Sequence, residues 1–167
     1  GGDTLQIEVN VMPGKGEFLL TGQLGDVMKE SAQAGITYIR SIADKYEIAP
    51  EYFQEHDIHI HIPEGAVPKD GPSAGITMAT AMLSAIVEKP VRADLAMTGE
   101  ITLRGRVLAI GGLKEKLLAA KYAKIKEVLV PGENRPDIEE LDKEITKGLI
   151  ITFVETMDEV LEKALVK

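Results

Sequence analysis

The stretch from Ala74 to Val87 contains no charged residue, and this feature constrains the fold more than any other. It is too short to span a bilayer and too long for a typical strand, so it predicts a helix buried in a soluble core. The preceding Gly71-Pro72 is turn chemistry and delivers Ser73 to the start of that helix. Free N–H groups and the positive end of the helix dipole meet there, which favours a nucleophile and the oxyanion it generates. The alternative is that Ser73 simply caps the helix.

A nucleophilic serine needs a base, and the three histidines are the first candidates. All three fall between positions 56 and 61, and the chain has no cysteine. His59 and His61 alternate with isoleucines, which predicts a strand that carries the histidines on one face and the isoleucines on the other. The spacing is compatible with a Ser-His pair, or with a metal site built on His56, His59 and His61.

Lys116 is the second candidate base. It follows two glycines and lies near the start of a predicted helix that runs to about residue 124. At about 100° per residue, Lys116 falls between Ala120 and Ala123 on a side lined by small apolar residues. Such a setting disfavours the ammonium form and is expected to lower the pKa of Lys116 from about 10.4 toward a range where it accepts a proton. The alternative is a lysine that reaches solvent at the helix edge, as is predicted for the two lysines on the other side, Lys114 and Lys121.

Three longer motifs contain these candidates: Pro68-Lys69-Asp70-Gly71-Pro72-Ser73-Ala74-Gly75, Met97-Thr98-Gly99-Glu100-Ile101-Thr102-Leu103-Arg104-Gly105 and Ile110-Gly111-Gly112-Leu113-Lys114-Glu115-Lys116. Together they closely resemble the proteolytic domain of Lon, the ATP-dependent serine protease. The opening residues 1–5 and the segment 24–32 match as well, so the resemblance covers essentially the whole chain.

The resemblance implies a Ser-Lys dyad, with Ser73 as the nucleophile and Lys116 as the general base. It also implies that Thr98 orients the lysine amine and that the loop containing Asp70 borders the site. Asp70 is compatible with three roles, which are to tune the lysine, to shape the loop or to cap the helix. The N–H groups at the start of the Ser73 helix are the expected oxyanion donors, and the reaction needs no metal or organic cofactor.

Length and composition predict one compact domain over residues 1–167. The chain is 44% hydrophobic, which is enough for one core, and no linker or repeat divides it. A net charge of -8 argues against a nucleic-acid or anionic-membrane partner. The absence of cysteine, of a signal peptide and of a long apolar run leads us to expect a cytoplasmic protein.

The order of elements predicts an α/β or α+β fold in which strands and helices intermix. Strands are expected at residues 4–12, 17–21, 58–62, 95–97, 107–110, 127–130 and 149–154. Helices are expected at residues 26–46, 74–87, 113–124 and 157–165, with a helix or turn at 137–147.

The segment Gly14-Lys15-Gly16 does not predict a phosphate loop. It lacks the upstream glycine and the following Ser or Thr of the nucleotide-binding pattern, and it joins two strands where that motif must open a helix. ATP binding by this chain is therefore not expected. The resemblance to Lon implies that ATP and Mg²⁺ act in an ATPase module upstream of Gly1. It also implies unfolded polypeptide substrates and a ring of six subunits.

Two other classes of function are compatible with the residues. A small-molecule kinase could bind phosphate at the glycine-containing turn and helix start between Gly71 and Gly75. A noncatalytic interaction module would use Ser73 as a cap and Lys116 as a surface residue. Reaction of Ser73 with a serine-directed covalent probe would exclude both.

Overall fold

The structure is a computed structural model that describes residues 7–22, 24–63 and 74–166. Helices and strands intermix along these residues, as expected. In chain order they are β1 (Glu8–Pro13), β2 (Phe18–Gly22), α1 (Asp26–Ser41), α2 (Tyr52–Glu55), β3 (His56–Ile62), α3 (Gly75–Val87), β4 (Leu95–Met97), β5 (Glu100–Ile101), β6 (Val107–Leu108), α4 (Leu113–Tyr122), β7 (Glu127–Pro131), α5 (Arg135–Glu140), α6 (Lys143–Thr146), β8 (Ile150–Val154) and α7 (Met157–Ala164).

The first sheet has the strand order β1-β3-β2. Strand β3 lies between the other two, antiparallel to β1 and parallel to β2, so the loop between β1 and β2 does not form a hairpin. The face prediction for β3 is confirmed, because its isoleucines are buried while His59 and His61 are half-buried on the opposite face.

Helix α1 is shorter than predicted. The expected helix over residues 26–46 ends at Ser41, and a 3₁₀ turn, Ala43–Tyr46, follows it. At this end the Ser41 hydroxyl donates a hydrogen bond to the Tyr38 carbonyl at 2.6 Å, which adds to the bond that this carbonyl accepts from Ile42 N at 3.2 Å. The prediction is wrong over the last turn. Helix α2 and strand β5 were not predicted.

Helix α3 is the buried helix that the uncharged stretch predicts. Ile76, Met78, Met82 and Leu83 are completely buried. Helix α1 packs closely against it at Gly35, where an added Cβ would lie 3.0 Å from the Met82 side chain. These residues belong to the first core, which also contains the buried faces of β3 and α7.

The second sheet is parallel and has the order β4-β7-β8. Strand β7 is buried on both faces, as is usual for the middle strand of a parallel sheet. Leu129 packs in the first core, whereas Val128 and Val130 pack in a second core with residues of α4, namely Leu113, Leu117 and Ala120. Helix α3, which follows Ser73, therefore packs in the first core, and helix α4, which carries Lys116, packs in the second. Strand β7 contributes side chains to both cores.

Candidate active site

The start of α3 lies one residue later than predicted. Ala74 occupies the cap position and makes no side-chain hydrogen bond, and the first helical residue is Gly75. The cap position is thus assigned to Ala74. Ser73 and Asp70 lie outside the described residues, as do the other residues of 64–73, so the expectations for both stay predictions.

The first two amides of α3 are already hydrogen-bonded. Gly75 N donates to Glu100 Oε1 at 3.2 Å, and Ile76 N donates to the Gly99 carbonyl at 3.1 Å. Both acceptors belong to the segment that runs from β4 into β5. These two amides are therefore occupied in this structure, and the expectation that N–H groups at the start of this helix serve as oxyanion donors stays a prediction.

Thr98 lies directly after β4, at the carboxyl end of the parallel sheet, where ligand sites of such sheets are commonly found. Its amide donates to the Leu129 carbonyl at 3.1 Å, which ties it to β7. The side chain is 3% exposed, and no hydrogen-bond partner of its Oγ1 atom is found in the structure over the described residues. The buried hydroxyl is therefore not hydrogen-bonded to Lys116 here, and its predicted role in orienting that lysine stays a prediction. A buried hydroxyl without a partner calls for an explanation, because leaving one unsatisfied costs about 1–3 kcal/mol.

Lys116 is half-buried on the first turn of α4, and its Nζ atom lies 3.5 Å from the Gly111 carbonyl oxygen. The predicted apolar side is confirmed at Ala120, which is 2% exposed. It is wrong at Ala123, which is exposed, because α4 ends at Tyr122 and not at residue 124. The prediction of solvated lysines is confirmed, since both are exposed: Lys114 and Lys121.

The backbone that leads into α4 is held by Asn134. This side chain is 1% exposed, its Oδ1 atom accepts from Ile110 N at 3.0 Å, and its Nδ2 atom donates to the Ile110 carbonyl at 2.9 Å. The next two residues, Gly111 and Gly112, are exposed. They line a groove of about 390 Å³ together with residues of α4 and α5.

The histidines make local contacts on and beside the first sheet. Thr21 Oγ1 lies 2.7 Å from His59 Nε2 and 2.8 Å from His61 Nδ1. His56 stacks on Tyr52 at 3.9 Å between ring centroids and donates from Nδ1 to the Tyr52 carbonyl. Within residues 7–22, 24–63 and 74–166, no group of three potential ligands could hold a metal ion.

The loop between β1 and β2 binds a carboxylate of the chain itself. Asp57 Oδ1 accepts from three backbone amides, at 2.8 Å from Glu17, 2.9 Å from Lys15 and 3.1 Å from Gly16. These hydrogen bonds hold the pKa of Asp57 below its usual value, with the Glu17 amide contributing most. The amides of this loop are thus already used by a side chain of the protein.

Comparison with known proteins gives the family. The sequence model of the Lon protease (S16) C-terminal proteolytic domain matches residues 1–167. The chain belongs to this family. It is 73% identical over 166 residues to the Lon protease of Lachnoclostridium phytofermentans, and the match covers 99% of this chain and 20% of that protein. The Lon protease of Clostridioides difficile is 64% identical over 167 residues, with 100% of this chain and 21% of that protein covered. The Lon protease of Bacillus thuringiensis is 58% identical over 166 residues, with 99% and 21% covered.

The chain thus spans about a fifth of the length of these relatives. The predicted resemblance to the Lon proteolytic domain is confirmed. The kinase alternative finds no support, because the Glu100 carboxylate accepts from Gly75 N at the helix start where that alternative would place a phosphate.

Among the described residues, no helix is both long and apolar enough to cross a bilayer.

Sequence reasoning missed two residues at the start of α3. Glu100 lies in the second of the three motifs, where the sequence alone indicates no role for it, and Ser31 lies outside all three. A signal for Ser31 was present, because it is a polar residue on the buried face of α1 beside Met28, Ala32 and Gly35. Its partner could not be read from local spacing, since Glu100 lies on a distant strand.

Proposed function

We propose that this chain hydrolyses peptide bonds through a dyad in which Ser73 is the nucleophile and Lys116 is the general base. One observation carries this proposal beyond family membership. The segment Thr98-Gly99-Glu100 accepts hydrogen bonds from the first two amides of α3, and it places the buried, unpartnered Thr98 hydroxyl two residues away from Glu100. This segment thus joins the helix that follows Ser73 to the end of the sheet against which α4 packs.

The reaction follows the logic of serine peptidases with a lysine base. Ser73 Oγ attacks the carbonyl carbon of the scissile bond and its proton passes to the neutral Lys116 amine. The C–N bond then breaks, and the Lys116 ammonium returns the proton to the leaving amine. Water, deprotonated by the same lysine, then attacks the acyl ester. The C–O bond to Ser73 breaks, and the Lys116 ammonium returns its proton to Ser73 Oγ as the acid is released.

Thr98 is proposed to orient the Lys116 amine. An amine that turns from the Gly111 carbonyl toward Thr98 Oγ1 would give this buried hydroxyl a partner. We propose that the reaction in this domain uses no metal or organic cofactor. Asp70 is proposed to border the site as part of the loop before Ser73.

The setting of the reaction is also a proposal. The substrates are proposed to be unfolded polypeptides, delivered by an ATP-dependent module of the full-length protein. The assembly is proposed to be a homohexamer in the cytoplasm, without nucleic-acid or membrane partners. The purified chain is then expected to cleave short peptides slowly, to leave stably folded proteins intact and to show no effect of ATP. ATP-stimulated cleavage by this chain alone would contradict the proposal that ATP acts only in a separate module of the full-length protein.

A fluorophosphonate probe tests the dyad directly. Ser73 Oγ attacks phosphorus, the P–F bond breaks, fluoride leaves, and the hydroxyl proton passes to Lys116. We expect one labelled residue, Ser73, by peptide mass mapping, and slow or absent labelling in Lys116→Ala. Lys114→Ala is the matched control, because this lysine is exposed on the same helix, and it should label normally. No labelling together with nucleotide-dependent thermal stabilisation would support the kinase, and no labelling with no stabilisation would support the interaction module.

The pH profile tests the base. Lys116 must be neutral to accept a proton, so kcat/KM for a short peptide is expected to rise through the neutral-to-alkaline range as one group deprotonates. A profile that is flat from about pH 5 upward would contradict a lysine base, because the ordinary pKa of lysine is about 10.4.

A further inference from the structure

The residue at the cap position of helix α3 makes no capping hydrogen bond with its side chain. Ala74, at the cap position, has no side chain that can accept a hydrogen bond, although Ser, Thr, Asp and Asn are strongly preferred there. The capping interaction comes instead from another part of the chain, since the Glu100 carboxylate on β5 accepts from Gly75 N at 3.2 Å. A carboxylate at this end of a helix also interacts favourably with the helix dipole.

Glu100 is itself held in place. Its Oε2 atom accepts a hydrogen bond from Ser31 Oγ at 2.5 Å, and Ser31 is 6% exposed on α1. The carboxylate therefore connects α1 to the start of α3, with one oxygen used at each end. A hydrogen bond to an ionised acceptor is stronger than one between neutral groups, so this connection fixes the carboxylate more firmly than a neutral pair would.

The fit around Gly75 leaves no room for adjustment. A Cβ atom built at this residue would lie 2.9 Å from Ile101 N and 3.1 Å from Glu100 Oε2. The Ile76 amide adds a second hydrogen bond to the same segment, at the Gly99 carbonyl. The start of α3 is thus held by hydrogen bonds and by contact with β5, two residues after Ser73.

We propose that Glu100 is a positioning residue for the nucleophile, because its carboxylate caps α3 from outside the helix and holds the backbone two residues after Ser73, so that the helix does not need a serine hydroxyl as its cap. This inference rests on the proposed function. A serine at a helix start ordinarily uses its hydroxyl as a cap, and a hydroxyl engaged in that way donates and accepts away from the substrate. With Glu100 capping the helix, the chain can place a serine beside a helix terminus and keep its oxygen for the reaction.

The test measures the rate of Ser73 labelling by the fluorophosphonate probe, together with kcat and KM for a short peptide. Glu100→Ala is expected to label about 10- to 100-fold more slowly and to lose kcat by the same factor, with KM within about threefold, since small misplacements of a reacting group have effects of this size. Glu100→Gln is expected to stay within about threefold of the unmodified chain. Its amide oxygen can accept from Gly75 N, and its NH₂ group can donate to the Ser31 hydroxyl.

Ser31→Ala and Asp57→Asn complete the set. Ser31→Ala should label about threefold more slowly, and combining it with Glu100→Ala should add nothing, because both act through one carboxylate. Asp57→Asn is the matched control, since it alters another carboxylate that accepts backbone amides, at the loop between β1 and β2. It should lower thermal stability and leave the labelling rate unchanged.

The outcomes separate the two proposals. If the unmodified chain is not labelled at Ser73, the proposed function fails. If it is labelled but folded Glu100→Ala labels equally fast, the positioning role is overturned and the dyad stands. Equal slowing in Glu100→Gln and Glu100→Ala would also overturn the role, because it would assign the effect to charge and not to the cap. If Glu100→Ala does not fold, Ser31→Ala decides, and an unchanged rate in that variant overturns the role.

Discussion

Helix α3, which follows Ser73, and helix α4, which carries Lys116, begin in different surroundings. The start of α3 is buried, its first amides are hydrogen-bonded to the Gly99-Glu100 segment, and Gly75 has no space for a Cβ. The two residues that lead into α4, Gly111 and Gly112, are exposed, Gly112 has a φ of 66°, and no described atom lies within 4 Å of a Cβ built at Gly111. Of the proposed dyad, Ser73 therefore lies two residues before a fixed helix start in the sequence. Lys116 lies on a helix that begins beside an open groove.

The difference shows where rigidity is needed and where space is needed. The nucleophile must be held in one orientation to attack, and holding it fixed lowers the entropy that the reaction must lose. A polypeptide substrate needs an open approach, and the exposed residues of the groove beside Gly111 provide one. The contrast predicts that equal substitutions at the two helix starts will have unequal effects.

The largest loss of activity is expected on substitution of the two proposed dyad residues. Ser73→Ala and Lys116→Ala should each lower kcat for a short peptide by about 10³-fold or more. The double variant should be little worse than either single one, because the two residues act as a unit. His61→Ala should keep most of the activity. Near-normal turnover by correctly folded Lys116→Ala would remove the lysine from the mechanism.

Gly75→Ala tests the fixed helix start. The new methyl group would lie 2.9 Å from a backbone nitrogen of β5 that cannot move without shifting the strand. We expect a loss of about 2 kcal/mol in the free energy of unfolding by urea, which is typical of overpacking, together with slower labelling of Ser73. Unchanged stability would mean that α3 and β5 can separate at little cost.

Thr98→Val separates activity from stability at the end of β4. Valine has nearly the same shape and removes a buried hydroxyl that has no partner in the described structure. The free energy of unfolding should therefore stay equal or rise, because an unsatisfied group is lost. Peptide turnover should fall about tenfold, because the proposed contact with the Lys116 amine is lost, and an effect of this size is within the range for one hydrogen bond. Thr98→Ser should restore most of it, and full activity in Thr98→Val would exclude the orienting role.

Smaller effects are expected at the open helix start. Gly112→Ala forces a side chain into the left-handed region and should cost about 1 kcal/mol of unfolding free energy. Gly111→Ala should change it by less than about 0.5 kcal/mol, because the added methyl group meets no atom. A loss at Gly111 as large as that at Gly75 would contradict the contrast between the two helix starts.

The loop between β1 and β2 provides a reference away from the dyad, because it too is held by a carboxylate. The pKa of Asp57 is lowered in the folded protein, so its contribution to stability is present above the unfolded value of about 3.9 and is lost as the pH falls through the folded value. Asp57→Asn should therefore be less stable than the unmodified chain at pH 7, and the gap should narrow below about pH 4. Melting temperatures from pH 2.5 to 7 test this, and a constant gap would contradict it.

The elements that could be predicted from the sequence are those set by local periodicity. The uncharged stretch gave α3, and alternation gave the two faces of β3. The end of α4 could not be predicted in this way, because Lys124 adopts a left-handed conformation with φ of 60° that no pattern announces. The end of α1 was likewise missed.

The proposed dyad was reached through motifs, but its surroundings depend on tertiary contacts. The capping of α3 by Glu100 joins residues 25 positions apart, and the contact of Glu100 with Ser31 joins residues 69 apart. Local propensity favours Ser73 as the cap, and the structure places Ala74 there instead because a distant carboxylate satisfies the helix. Two of the candidate oxyanion donors, the amides of Gly75 and Ile76, are hydrogen-bonded to the segment that contains Glu100.

Strand β7 places neighbouring residues of the chain in contact with different halves of the proposed site. Leu129 packs with the core of α3, while Val128 and Val130 pack with α4. Shortening the side chain at Leu129 or at Val128 is therefore expected to disturb the packing of only one of the two helices, α3 or α4. Leu129→Ala would disturb the scaffold behind the serine, and Val128→Ala the scaffold behind the lysine. Strand β7 contributes no reacting group, but because it packs against both helices it sets the position of α3 relative to α4.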